Sequence, residues 1–259
     1  MNKAILVVSF GTAFAETRQK TIEAIEHDLA AAFPDRNLYT AWTSGMILRK
    51  LKKRGEEPPE TVTEALERML KDGVTDVLVQ PTFLQAGYEM SLVRDTLEEW
   101  KGRFERVALG TVLVAGQNDL DALADALKMS FADVAEDEAL VFMGHGSEGA
   151  PFYPYEKLTD AFHRGGRENF CVGTVEFDPG IEPALELVRL RQPRRTYLAP
   201  LMIVAGDHAV NDMAGEEPDS WKNRLEALGT STECLLKGLG EYPEVRAMFV
   251  RHAENAAVL

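Results

Sequence analysis

Val141-Phe142-Met143-Gly144-His145-Gly146-Ser147 runs from apolar residues straight into a histidine held between two glycines. A short continuous apolar run cut off in this way reads as a strand buried on both faces, as in a parallel sheet. The glycines let the chain turn sharply and bring its backbone close to a ligand. In an open α/β sheet such a turn lies at the carboxyl end of the strand, where ligands bind. An imidazole placed there can hold a metal or move a proton.

The pattern around this stretch repeats along the chain. Apolar runs predict strands over 4–8, 38–42, 76–80 and 107–114, then over 139–143, 170–175, 196–199 and 232–236. Helical spacing predicts helices over 17–33, 46–53, 61–71 and 91–100, then over 155–162, 181–190, 221–228 and 243–253. A further helix over 118–131, with Asn118 as its cap, fits a crossover between halves. Strands alternating with helices imply an α/β fold with doubly wound parallel sheets.

The two series also match residue by residue. Val7-Val8-Ser9-Phe10-Gly11-Thr12 aligns with Phe142-Met143-Gly144-His145-Gly146-Ser147 at an offset of 135. The stretch from Gln80-Pro81 to Tyr88-Glu89 aligns with that from Ala199-Pro200 to Asp207-His208 at an offset of 119. The second half is thus shorter by 16 residues, which corresponds to the extra helical material around 46–72. The expectation is two similar domains related by internal duplication: residues 1–117, a crossover over 118–138, and 139–259. By position Phe10 answers to His145 and Glu89 to His208. Equivalent loops of two facing domains would converge on one ligand cleft.

Composition narrows the partners. The apolar fraction is 45%, enough for a packed core. A net charge of −14 and a pI near 4.9 argue against nucleic acid and against an anionic membrane surface. An anionic ligand then depends on local backbone N–H groups or a few Arg and Lys residues. The two cysteines, Cys171 and Cys234, lie in strand-like runs and read as buried thiols. No apolar run approaches the roughly 20 residues of a membrane span, and residues 4–8 are too few for a signal peptide. The expectation is a cytoplasmic protein, with a homo-oligomer left open.

Three polar residues at strand ends of the second half stand out. His145 follows the strand over 139–143, and Glu176 ends the strand over 170–175. His208 follows Gly206-Asp207 beyond the strand over 196–199. Glu176 also suits a helix-start charge, and His208 and Glu89 also suit surface loops. Two imidazoles and a carboxylate together match a borderline divalent ion, with positions left open for exchange or chemistry. His27, His163 and His252 read as ordinary solvated residues. Residues 144–149 fit G-x-G-x-x-G after a strand, but Pro151 and Pro154 follow where the fingerprint needs a helix, which weakens a nucleotide site. The serine-hydrolase elbow fails because His145 stands two positions before Ser147.

These motifs, Ser9-Phe10-Gly11-Thr12, Met143-Gly144-His145-Gly146, Val175-Glu176-Phe177-Asp178-Pro179-Gly180, and Pro200-Leu201-Met202 with Ala205-Gly206-Asp207-His208, carry a resemblance over nearly the whole chain. The chain resembles the anaerobic cobalt chelatases of cobalamin synthesis, the sirohydrochlorin cobaltochelatases. These belong to the class II chelatase group that includes protoporphyrin ferrochelatase. The resemblance implies a ferrochelatase-like fold and ATP-independent insertion of Co²⁺, as substrate, into the tetrapyrrole sirohydrochlorin, with no resident cofactor. It implies that His145, Glu176 and His208 hold the metal and that Glu89 lines the cleft. His145, or Glu89 as a relay, would take the pyrrole protons. Backbone groups of Ser9, Phe10, Gly11 and Thr12, and of Gly144, Gly146 and Ser147, would meet the macrocycle's carboxylates. Phe83 stands where some relatives have histidine. Alternatives are a ferro- or nickel chelatase, a carrier without turnover, and a nicotinamide-linked oxidoreductase using loop 144–149.

Overall fold

The computed structural model describes residues 2–147 and 153–259. The chain forms two compact units, Met1–Ala115 with Pro243–Leu259, and Gly116–Tyr242.

In the first unit the elements follow as β1 (Lys3–Ser9), α1 (Ala15–Lys20), α2 (Ile22–Ala32), β2 (Asn37–Trp42), α3 (Gly45–Lys53), α4 (Val62–Lys71), β3 (Asp76–Pro81), α5 (Tyr88–Trp100) and β4 (Arg106–Leu109). In the second they are α6 (Gln117–Ser130), β5 (Glu138–Gly144), α7 (Pro154–Arg164), β6 (Phe170–Thr174), α8 (Glu182–Arg191), β7 (Arg195–Leu201), α9 (Trp221–Glu226) and β8 (Ser231–Cys234). The chain closes with α10 (Pro243–Glu254) and β9 (Ala257–Val258).

The sheet orders are β2-β1-β3-β4-β9 and β6-β5-β7-β8. Removing β9, which pairs antiparallel to β4 through Ala108 and Val258, leaves one parallel order used twice. This is the α/β duplication expected from the sequence. The most apolar strands, β1 and β5, sit inside their sheets: Ile5 pairs with Leu38 and Leu78, and Phe142 with Val172 and Ala199. In each sheet the strand order reverses beside that strand, and the carboxyl edge there is where open α/β sheets receive ligands. Residues 4–8 and 139–143 are almost wholly shielded from solvent.

Several boundaries differ from the sequence expectations. The helix expected over 17–33 is two helices, because Thr21 turns its hydroxyl back to donate to the Thr17 carbonyl at 2.6 Å and the chain bends there. The strand expected over 107–114 stops at Leu109. Val112, Leu113 and Val114 are buried as an irregular segment, in which the N–H groups of Leu113 and Val114 donate to the carbonyls of Phe83 and Leu84. Burial alone does not distinguish such a run from a strand. Asn118 does not cap α6; Gly116 holds that position with no side chain to contribute. The helix expected as the crossover between halves, α6, belongs to the second unit and packs on α7.

The second unit also ends earlier than expected. The buried face of α10, Val245, Met248, Phe249 and Ala253, lies in the first unit, where the Arg246 guanidinium meets Asp28 of α2 at 2.6 Å. An amphipathic final helix must cover some sheet face, and the sequence pattern alone does not say which. Gly149 of the glycine run, and residues 150–152 of the loop expected after it, lie outside the described residues.

Candidate metal centre

His145 is the first residue beyond β5, and its loop is built by close backbone approach. Gly144 lies flat against the Tyr155 ring; a Cβ there would come within 2.2 Å of it. Gly146 has φ +88°, and a Cβ on it would sit 1.7 Å from the Glu176 carbonyl oxygen. Only glycine allows the His145 loop to lie against the Glu176 loop in this way. Two backbone bonds then join the loops: Val175 N–H donates to the Gly144 carbonyl and Glu176 N–H to the His145 carbonyl, each at 2.9 Å.

The Glu176 loop is pinned from beneath. Thr174, buried at the end of β6, donates its hydroxyl to the Phe177 carbonyl at 2.9 Å and accepts the Gly180 N–H at 3.0 Å. Phe177 holds a left-handed φ of +62°, a costly conformation for a bulky residue that the turn around Thr174 imposes. His208 precedes a π-helical turn, Ala209–Met213, a rare form that recurs at functional sites. Asp212 lies on that turn, and its carboxylate accepts from His208 Nδ1 at 2.8 Å.

The three side chains meet. The ligating atoms of His145, Glu176 and His208 all lie within 4.8 Å of one another. His145 Nε2 stands 4.0 Å from Glu176 Oε2, and the two imidazole rings meet edge to face at 5.0 Å between centroids. The tautomers follow from the partners. His145 Nδ1 is 3.0 Å from the Gly146 carbonyl, which only accepts, so Nδ1 carries the proton. His208 Nδ1 faces a carboxylate and carries its proton likewise. His145 therefore keeps a bare Nε2 lone pair beside the Glu176 carboxylate, and His208 has its Nε2 left for a metal. An ion about 2.1 Å from each donor requires a modest closure of the widest pair. All three side chains are partly exposed, which permits that closure and leaves the site open on one side.

The cobalt chelatase (CbiK) family model matches residues 3–258. The chain belongs to the cobalt chelatase (CbiK) family. It is 41% identical over 256 residues to a sirohydrochlorin cobaltochelatase of Salmonella typhimurium, covering 99% of this chain and 97% of that protein. It is 31% identical over 257 residues to the sirohydrochlorin cobaltochelatase CbiKC of Nitratidesulfovibrio vulgaris, covering 98% and 90%. Among solved structures, SirB from Bacillus subtilis with Fe³⁺ superposes with a TM-score of 0.67 at 15% identity, covering 98% of this chain and 95% of that one. The sirohydrochlorin chelatase SirB from Bacillus subtilis subspecies spizizenii in complex with cobalt gives 0.63 at 15% identity, with the same coverage.

Within this cobalt chelatase family chain the other expected residues take varied places. Glu89 lies in the first turn of α5, with its Oε2 buried. Phe10 is 44% exposed just beyond β1, the position that answers to His145. Ser9 is buried, and its hydroxyl accepts from Thr82 at 2.8 Å, tying β1 to the chain beyond β3. Gly11, at φ +101°, lies against the Trp42 ring, and the Thr12 hydroxyl accepts the Phe14 N–H at 3.3 Å. The Gly146 N–H, expected to meet a substrate carboxylate, donates instead to the Tyr155 hydroxyl at 3.2 Å. Gly144 ends β5 within the sheet, and Ser147 is half-buried. Phe83 is buried in the first unit's core. The sequence reading missed Asp212, Thr174 and Tyr155. A carboxylate four residues after a loop histidine was a readable signal for Asp212; the other two act through backbone positions with no sequence signature.

No helix is long and apolar enough to cross a membrane among the described residues.

Proposed function

We propose that this chain inserts Co²⁺ into sirohydrochlorin, forming cobalt-sirohydrochlorin without ATP and without a resident cofactor, in the cytoplasm. The observation that carries the reading is the cluster of His145, His208 and Glu176, whose ligating atoms lie within 4.8 Å of one another, with each imidazole's Nδ1 already hydrogen-bonded. The relatives named sirohydrochlorin cobaltochelatase support the choice of metal and macrocycle.

Two neutral imidazoles and one carboxylate carry a single negative charge, so a bound divalent ion keeps a net positive charge. That suits a site that must release the metal rather than keep it. Metal entry requires two pyrrole protons to leave the macrocycle, so a base is needed within hydrogen-bond reach. His145 is assigned that role once the metal leaves its Nε2, with Glu89 as the alternative relay. A site that holds the macrocycle bent favours the strained transition state for insertion.

The test mixes a catalytic amount of protein with Co²⁺ and excess sirohydrochlorin and follows the visible spectrum. Many turnovers per protein are expected. Conversion that stops at one equivalent overturns the enzymatic reading in favour of a carrier, and faster insertion of Fe²⁺ or Ni²⁺ in parallel overturns the choice of cobalt.

A further inference from the structure

A substrate rich in carboxylates meets a difficulty in this chain: a net charge of −14 repels it at long range. The cations are unevenly spread, however. Arg49, Lys50, Lys52, Lys53 and Arg54 fall within six consecutive positions, and α3 carries no acidic residue.

This helix is fastened to the carboxyl edge of the first sheet. Thr43 N–H donates to the Ser9 carbonyl at 3.0 Å and Ser44 N–H to the Phe10 carbonyl at 3.2 Å. Ile47 and Leu51 are buried, which fixes the helix rotation and turns its cations outward. Two of them then reach loop 10–14, and a third stays over the helix that carries them. The Arg54 guanidinium donates to the Ala13 carbonyl at 2.7 Å, and Lys50 Nζ lies 5.8 Å from the Phe14 ring centroid. Arg49 folds back over the start of the helix, its Nη1 3.3 Å from where a Gly45 Cβ would stand. Arg54 also stands 4.0 Å from Glu56, an exposed pair that offsets little of the Arg54 charge.

The duplication sharpens the contrast. β2 and β6 hold the same place in the two sheets. The chain after β6 carries Glu176, Asp178 and Glu182; the chain after β2 carries the cations of α3. Phe10, the counterpart of His145, is an exposed aromatic at the start of the same loop. An apolar surface bordered by guanidinium and ammonium groups complements a flat ring with a carboxylated periphery, and guanidinium groups bind carboxylates through paired hydrogen bonds.

We propose that Arg49, Lys50 and Arg54 form the receptor for the peripheral carboxylates of the tetrapyrrole, which makes this unit the selector of polycarboxylate macrocycles. The assignment rests on the tetrapyrrole reading above, but it concerns binding and not metal insertion.

The test is spectroscopic titration of the full chain with metal-free sirohydrochlorin, comparing wild type, R49Q, K50Q, R54Q, the triple variant and the control K71Q. Each single loss weakens binding about two- to fivefold and the triple more than tenfold, while K71Q binds like wild type. Rising salt weakens the wild type more than the triple variant. Co²⁺ affinity stays unchanged in all of them. Equal affinity of wild type and triple variant, or no binding by the wild type, overturns the proposal. If the wild type binds and the triple does not, yet Co²⁺ is never inserted, the receptor stands and the chelatase reading falls.

Discussion

His208 Nδ1 lies 2.8 Å from Asp212 Oδ2, one turn further along the π-helical segment, so a carboxylate fixes the tautomer and the aim of one imidazole of the metal cluster. His145 has only the neutral Gly146 carbonyl in the corresponding place. A carboxylate partner raises the basicity of a ligating imidazole more than a carbonyl does. Asp212→Ala is expected to weaken Co²⁺ binding about 10- to 100-fold, and Asp212→Asn, whose amide oxygen still accepts from Nδ1, by less. Competition titration against a chromogenic chelator measures both. Equal affinities for wild type and the alanine variant would remove Asp212 from the site.

Gly146→Ala is expected to be damaging although it adds one methyl group. The new Cβ would lie 1.7 Å from the Glu176 carbonyl, and φ at this position is +88°. The two loops must part, at a cost of about 1–3 kcal/mol, and Glu176 moves away from His145. Thermal unfolding gives the stability loss and chelator competition the loss of metal affinity. An unchanged affinity would show that loop contact does not set the ligand geometry.

Thr174→Val keeps the shape at the end of β6 but removes the hydroxyl that serves both Phe177 and Gly180. The expected destabilisation is about 1–2 kcal/mol. Chelation at low cobalt should fall further than at saturating cobalt, because the loop it pins carries Glu176. Parallel rate measurements at the two cobalt concentrations check this.

Stability should also depend on pH through Glu26, remote in sequence from the metal residues. Burial pushes its carboxyl up from 4.5 to about 7, against the pull of Arg18, so the folded chain binds this proton more tightly than the unfolded chain. The contribution is complete below about pH 4.5 and is lost as pH rises through about 7. Glu26→Gln should therefore stabilise the protein at pH 8, on the order of 2 kcal/mol, and make little difference at pH 5. Denaturant melts of both proteins at the two pH values provide the comparison.

Much of this fold was readable because burial and periodicity coincide. The apolar runs at 4–8 and 139–143 became central strands, and the offset between Phe10 and His145 reported a true repeat of strand order. The segment at 112–114 was misread because it is as apolar and as buried as a strand, and only its hydrogen bonds to Phe83 and Leu84 show otherwise. The return of α10 to the first unit was illegible because its apolar stripe names no partner. At the site, His145, Glu176 and His208 declared themselves by following glycines or ending strands. Ser9 was readable as a strand-end residue, but the bond its hydroxyl accepts from Thr82 was not. Tyr155 and Thr174 act on backbone atoms, which no residue pattern reports.

The most direct measurement of the central claim is Co²⁺ insertion into sirohydrochlorin by His145→Ala and His208→Ala, at fixed limiting cobalt, beside thermal melts of the same preparations. The account predicts that both variants melt near the wild type, since the imidazoles are partly exposed, while insertion falls at least about 100-fold, the loss of one metal ligand. If both variants insert cobalt at the wild-type rate, the cluster of His145, Glu176 and His208 is not where the metal is held.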